Sequence, residues 1–245
     1  MKLPLILGAL ALALAAPLLG QTPVYTLPGE TGGPFSYLTI SQDTEYADSA
    51  HLAGTGRMLD QAVVTVYSNV ARQASVTLSF YAAVPDENEY EGPLGQPGVT
   101  PGNLAGFRPA DNPLWTSGAL LFSFEGDGSN NLNLNELVFS GINTLVPDDI
   151  FWALTFTDIS NYSDGGAFGP QLEDAANLGP VGAETDPSRL YLREQDGEWL
   201  PVWLMTGAPP TSTLSIQLTT TVPEPSVALL GVLGVAGLIR RRRAA

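Results

Sequence analysis

Residues 75–84 read SVTLSFYAAV. Val76, Leu78, Phe80, Ala82 and Val84 fall on one parity, with Thr77, Ser79 and Tyr81 on the other. Successive side chains of a β-strand point to opposite faces, so an apolar period of two predicts a half-buried strand. A helix would instead space its apolar residues by three and four. Residues 213–222, TLSIQLTTTV, repeat the pattern, with Leu214, Ile216 and Leu218 opposed to Ser215, Gln217 and Thr219. Further strand-like runs occupy 35–41, 58–67, 114–124, 136–139, 150–158, 189–194 and 199–205, separated by clusters of Gly, Pro, Asn and Asp. Helical periodicity is nearly absent from this region, and no parallel βαβ alternation occurs. The expected fold class is therefore all-β, an antiparallel β-sandwich of the jelly-roll or immunoglobulin-like kind. Residues 85–113 carry six prolines and read as a long surface excursion between strands.

Composition narrows the chemistry. The chain has 245 residues, no Cys and one His, His51. Thiol nucleophiles, disulfides, thiolate zinc sites and multi-histidine metal centres are thereby excluded. Five arginines (Arg57, Arg72, Arg108, Arg189 and Arg193) face 24 acids between Glu30 and Glu198, which leaves that stretch at about −19. A surface so negative repels phosphate backbones, so no nucleic acid is expected as a partner.

The two ends differ from the middle. MKLPLILGALALALAAPLLGQ at the start places Lys2 before an apolar run and small residues, the layout of a secretory signal peptide. The end, VPEPSVALLGVLGVAGLIRRRRAA, has thirteen apolar or small residues from Val227 to Ile239, then Arg240, Arg241, Arg242 and Arg243. As a helix this run is about 20 Å long at ~1.5 Å per residue, short of the roughly 30 Å of a bilayer core. Basic clusters stay on the cytoplasmic side, so the arginines act as a topology anchor and place the body outside the inner membrane. The predicted organisation is a signal helix at 1–20, an exported domain at 21–221 and a tail with a short transmembrane helix at 222–245.

Taken together, Pro223, Glu224 and Pro225, the short apolar helix and the terminal arginines resemble the PEP-CTERM sorting signal of bacteria that make extracellular polysaccharide. The resemblance implies recognition of that motif by an exosortase, a membrane protease-transpeptidase, after signal peptidase has acted at the other end. It also implies an inner-membrane intermediate, then delivery to the cell surface or extracellular matrix. Physically, two prolines hold Glu224 in extended, non-helical backbone that a protease can reach. The middle is similar, more loosely, to a recurrent domain of such proteins. The stretches involved are HLAGTGRML (51–59), VTVYSN, LSFYAA, LWTSG (114–118) and VPDDIFWALTF (146–156). That likeness speaks to architecture and address and brings no site residues.

Within the body, His51 precedes a turn and no G-x-S-x-G elbow occurs, so a Ser-His-Asp triad is not indicated. A carboxylate pair for glycoside hydrolysis needs only two acids, but none stands in a motif; Asp148 and Asp149 read as solvated turn residues. Calcium is the one candidate cofactor. Asp127, Asn131, Asn133 and Glu136 in EGDGSNNLNLNE offer oxygen donors, and Asp158 with Asp164 and Gly165 forms a second set, neither with EF-hand spacing. Trp115, Trp199 and Trp203 are candidate platforms for sugar rings, set against core packing. The expected function is a non-catalytic exported protein, structural or adhesive within extracellular polysaccharide. The alternatives are a carbohydrate-binding module using Trp platforms and, behind it, a carboxylate-pair polysaccharide hydrolase.

Overall fold

The computed structural model describes residues 19–26, 36–86, 106–127, 133–162, 166–174, 181–182, 189–194, 197–203 and 212–223. A compact body comprises Pro23–Thr220, and a separate unit comprises Met1–Thr22 and Thr221–Ala245. The signal helix and most of the sorting tail, including Glu224, Pro225 and the four arginines, lie outside the described residues. Among the described residues no helix is long and apolar enough to cross a membrane.

The regular structure of the described residues is all-β, in two sheets. The first holds β1 (Leu19–Thr26), β2 (Ser36–Tyr37), β4 (Met58–Ser68), β9 (Asn133–Leu145), β11 (Phe168–Asp174), β14 (Ser212–Leu214) and β15 (Ile216–Pro223). The second holds β3 (Glu45–His51), β5 (Val70–Pro85), β6 (Phe107–Pro109), β7 (Trp115–Thr116), β8 (Leu120–Asp127), β10 (Asp149–Thr157), β12 (Arg189–Arg193) and β13 (Leu200–Trp203). The first is ordered β1-β15-β4-β11-β14, with β9 on β4 and β2 on β11. The second runs β13-β12-β3-β10-β5, with β6, β7 and β8 along the far side of β5. The ladders of β3, β4, β5, β10, β11 and β12 are antiparallel.

The alternation read in 75–84 sets the inner face of β5. Val76, Leu78 and Phe80 are fully buried and share one core with Ile150, Trp152, Leu154 and Phe156 of β10 and Val64, Val66, Phe139 and Leu218 of the first sheet. Each such side chain contributes roughly 1.5–3 kcal/mol by leaving water. Aromatic rings join the two sheets. Phe122 of β8 meets Phe139 of β9 at 5.4 Å between centroids, and Phe168 of β11 meets Phe124 and Phe156 at 4.9 and 5.4 Å. Above Phe168 lies the buried guanidinium of Arg72, 4.8 Å from its centroid.

The sequence pattern misses several elements, for identifiable reasons. Glu45–His51 (EYADSAH) shows no apolar alternation, yet β3 sits between β12 and β10 with both faces covered. Small side chains and one buried acid suit it to that place. Asp48 is 1% exposed and lies on the inner face; its carboxylate accepts the Ser49 amide at 2.8 Å and, across the gap, the Leu214 amide of β14 at 2.7 Å. β11 is hidden in sequence by its Gly-Pro step. Gly169 passes so close to the Leu38 carbonyl that a Cβ would overlap it. The single run 114–124 divides into β7 and β8 at Gly118, which takes φ +67°.

The expected polar outer face is also corrected. Tyr81 is 2% exposed and belongs to a second cluster with Ala47, Phe151, Ala153, Tyr191 and Trp199. Pro201 does not end its strand, because β13 is an edge strand where a missing N–H costs little.

Replacing Asp48 by Ala leaves the buried Leu214 amide without this acceptor. The expected loss is about 3 kcal/mol, read as a lower denaturant midpoint at unchanged slope. An unchanged midpoint would show that the link between sheets contributes nothing.

Candidate functional site

The outer face of the second sheet carries the densest polar constellation described. In register, Arg193 of β12 stands opposite Glu45 of β3, which stands opposite Thr155 of β10. Arg193 donates from Nε and Nη2 to Glu45 Oε2 at 3.0 and 2.6 Å, from Nη2 to the Tyr81 hydroxyl at 2.8 Å and from Nη1 to the Asp111 carbonyl at 2.9 Å. Tyr81 in turn donates to Glu45 Oε1 at 2.6 Å. The guanidinium carbon lies 4.3 Å from the Trp199 ring centroid and 5.3 Å from that of Tyr81. The two side chains of the ion pair are 19% and 12% exposed. Largely removed from water, they interact more strongly than a surface pair and are costly to separate.

The last part of the proline-rich stretch, from β6 to Leu114, is not a free surface excursion but forms the lid of this cluster. Ala110 and Leu114 donate their amides to the carbonyls of Ala82 and Phe80. Their segment accepts in return from Tyr191 Oη at the Phe107 carbonyl (2.5 Å) and from Trp199 Nε1 at the Ala110 carbonyl (3.2 Å). Arg108 bonds Asp111 at 2.7 Å and holds that exposed carboxyl below the usual carboxylate range.

Beside the lid opens a cleft of about 470 Å³, lined by Asp43, Glu45, Asp111, Thr155, Arg193, Glu194 and Gly197. Four carboxylates against one already paired guanidinium make it a surface of hydrogen-bond acceptors. It suits hydroxyl-rich or cationic groups and repels phosphate. Burial first, and then the bond to Glu45, push the Tyr81 phenol well above its ordinary value near 10.

A second constellation joins two of the sequence stretches singled out above. His51 and Asp149 face each other in the β3–β10 register, with Nδ1 2.7 Å from Asp149 Oδ1. Arg57 donates to Asp148 Oδ1 and to the carbonyls of Ala53 and Gly56. The Leu52 amide bonds the Asp148 carbonyl, and the Val146 amide bonds the Arg57 carbonyl. Asp148 and Asp149 are therefore fasteners between HLAGTGR and VPDD, not merely solvated turn residues. Arg57 holds the Asp148 carboxyl below the ordinary range, by its hydrogen bond first and its charge second.

The remaining candidates are not brought together among the described residues. Asn131 lies outside the described residues, as does the side chain of Asp127; Glu136 is exposed on β9 opposite Thr65. Asn135, not chosen from the sequence, bonds the Glu125 amide at 2.8 Å and the Asn133 carbonyl at 3.2 Å, tying β8 to β9. Asp158 takes φ +50° after β10, while Asp164 and Gly165 are outside the described residues. Among the described residues no three His, Cys, Asp or Glu side chains are grouped to hold a metal ion. Trp115 packs on Phe80 at 5.6 Å. Trp199, 5% exposed, has Arg193 on one face and Tyr81 against it edge-on at 5.3 Å, so it offers no open face to a sugar. The Trp203 side chain is outside the described set.

Compared with known protein families, curated proteins and solved structures, the chain matches none.

Two pH effects follow. Folded Tyr81 keeps its proton past the pH at which the unfolded chain releases it. Its contribution is full below about pH 10 and declines above, so Tyr81→Phe is expected to flatten the alkaline limb of a stability profile. Asp148 has the opposite sign. Its contribution is present above about pH 4 and lost as pH falls through its lowered folded value, so Asp148→Asn is expected to flatten the acid limb. Unfolding midpoints across the pH range check both; limbs matching the parent would remove these groups as causes.

Proposed function

We propose that this chain is a non-catalytic exported protein, delivered by a PEP-CTERM-type signal to the cell surface or extracellular matrix, where it serves a structural or adhesive role. The carrying observation is the combined tail, Pro223-Glu224-Pro225, Val227–Ile239 and Arg240–Arg243, opposite an N-terminal run with signal-peptide layout. The body supports the reading through the use of its reactive groups. His51, Arg57, Asp148 and Asp149 fasten two loops, and Arg193, Glu45 and Tyr81 close the outer cluster. Within the sandwich class we favour the jelly-roll member. Its support is that β8–β9, β9–β10, β10–β11 and β11–β12 each step from one sheet to the other.

Glycan binding is the second reading, now with a different platform. The acceptor-lined cleft around Asp43, Glu45, Thr155 and Glu194 favours it, whereas buried Trp199 does not.

Intact mass and fractionation of the protein from its own cells test the first reading. The expected species lacks both the N-terminal run and the residues beyond the Pro-Glu-Pro step and is found in surface or matrix material. A full-length tail in the inner-membrane fraction would leave a tethered domain and end the sorting proposal. For the second reading, titration with soluble neutral oligosaccharides is expected to show heat that Glu194→Gln diminishes. No heat for the parent protein would remove it.

A further inference from the structure

We infer that the outer face of β4 and β9, at the end of the body where the chain leaves it, rests on the lipid surface while the protein is held by its tail. The inference depends on the tail reading proposed above.

The geometry begins at β15. Its last ladder partner on β4 is Leu59, opposite Thr220. Only residues 221–226 separate that point from the apolar run at Val227. At no more than ~3.6 Å per residue the connection reaches roughly 20 Å, while a body of this size is roughly 40 Å across. A tether shorter than the body holds the exit end against the bilayer.

Exposed apolar side chains face each other across the ladder at that end. Met58 and Leu145 stand directly opposite one another, 41% and 69% exposed. Farther along the same ladder come Gln61 opposite Ser140, then Val63 opposite Val138, the latter 47% exposed. The only charge on these stretches of the two strands, 58–63 and 138–145, is Asp60, half-buried at the bulge where the register shifts. The next acid, Glu136, lies opposite Thr65, beyond the patch. A body near −19 is repelled by anionic headgroups over most of its surface, so a partly apolar face beside the tether, whose one charge is the half-buried Asp60, is the side able to approach. Exposed apolar groups that cluster mark interaction surfaces more often than isolated ones do.

The chain has no cysteine, so single labels need no other change. Leu145→Cys and Leu121→Cys form a matched pair, since both leucines are 69% exposed and Leu121 lies on β8 of the other sheet. Each full chain would carry an environment-sensitive fluorophore and be reconstituted into vesicles of phosphatidylethanolamine and phosphatidylglycerol, with and without spin-labelled lipid. The expected result is co-flotation of both. The label at 145 shifts to the blue and is quenched by the spin-labelled lipid, while that at 121 matches the protein in buffer. Adding Met58→Glu to the Leu145→Cys chain is expected to reverse the blue shift without affecting flotation. Flotation with both labels in water, or both quenched alike, overturns the docking face and leaves the tail reading intact. Failure to float overturns both, because the apolar run then does not insert.

Discussion

Burying both faces of the β12–β3–β10–β5 sheet is the constraint on which the rest of this structure depends. One face meets the first sheet and forms the main core, as expected of a sandwich. The other is covered by the protein's own segments, with Tyr81, Phe151, Tyr191 and Trp199 packed over Ala47 and Ala153. Covering that face brings polar groups under a lid. The Glu45–Arg193–Tyr81 network satisfies them, and a buried polar network of this kind stabilises only when its members are all paired. The cleft follows from the same arrangement, since its floor is the exposed edge of that network.

The four body arginines whose side chains are described are used within the body. Arg57 binds Asp148 and loop carbonyls, Arg108 binds Asp111, Arg193 binds Glu45, and Arg72 lies buried above Phe168. Each joins segments distant in sequence or closes a turn, which leaves the remaining carboxylates to dominate the surface. Such a surface stays soluble and disfavours association with anionic partners.

The parts of the fold legible in sequence are those whose two faces differ in how completely they are buried. In β5 and β15, apolar and polar residues alternate because one face is buried more completely than the other. Where both faces are covered the alternation vanishes. β3 carries Tyr46, Ala47, Asp48, Ser49 and Ala50, all buried, in an order that no periodicity rule selects. β11 is obscured by Gly169 and Pro170, tolerated because the glycine admits a close carbonyl and Pro170, opposite Val66 of β4, still accepts the Leu38 amide at its own carbonyl. The site residues follow the same division. His51 was visible as the sole histidine, but its partner lies 98 residues away, and the Arg193–Glu45 pair spans 148.

The amino-acid sequence by itself determined the strand-forming majority, the strongly acidic body and the chemical contrast between that body and its two ends, because composition and period are local properties. Only the tertiary structure decided that a second aromatic core lies outside the sandwich, that Trp199 is covered, and that HLAGTGR and VPDD are one corner. Those outcomes depend on which strands become neighbours. Strand pairing is set by the combined burial of many residues far apart in the chain, and no short stretch carries that information.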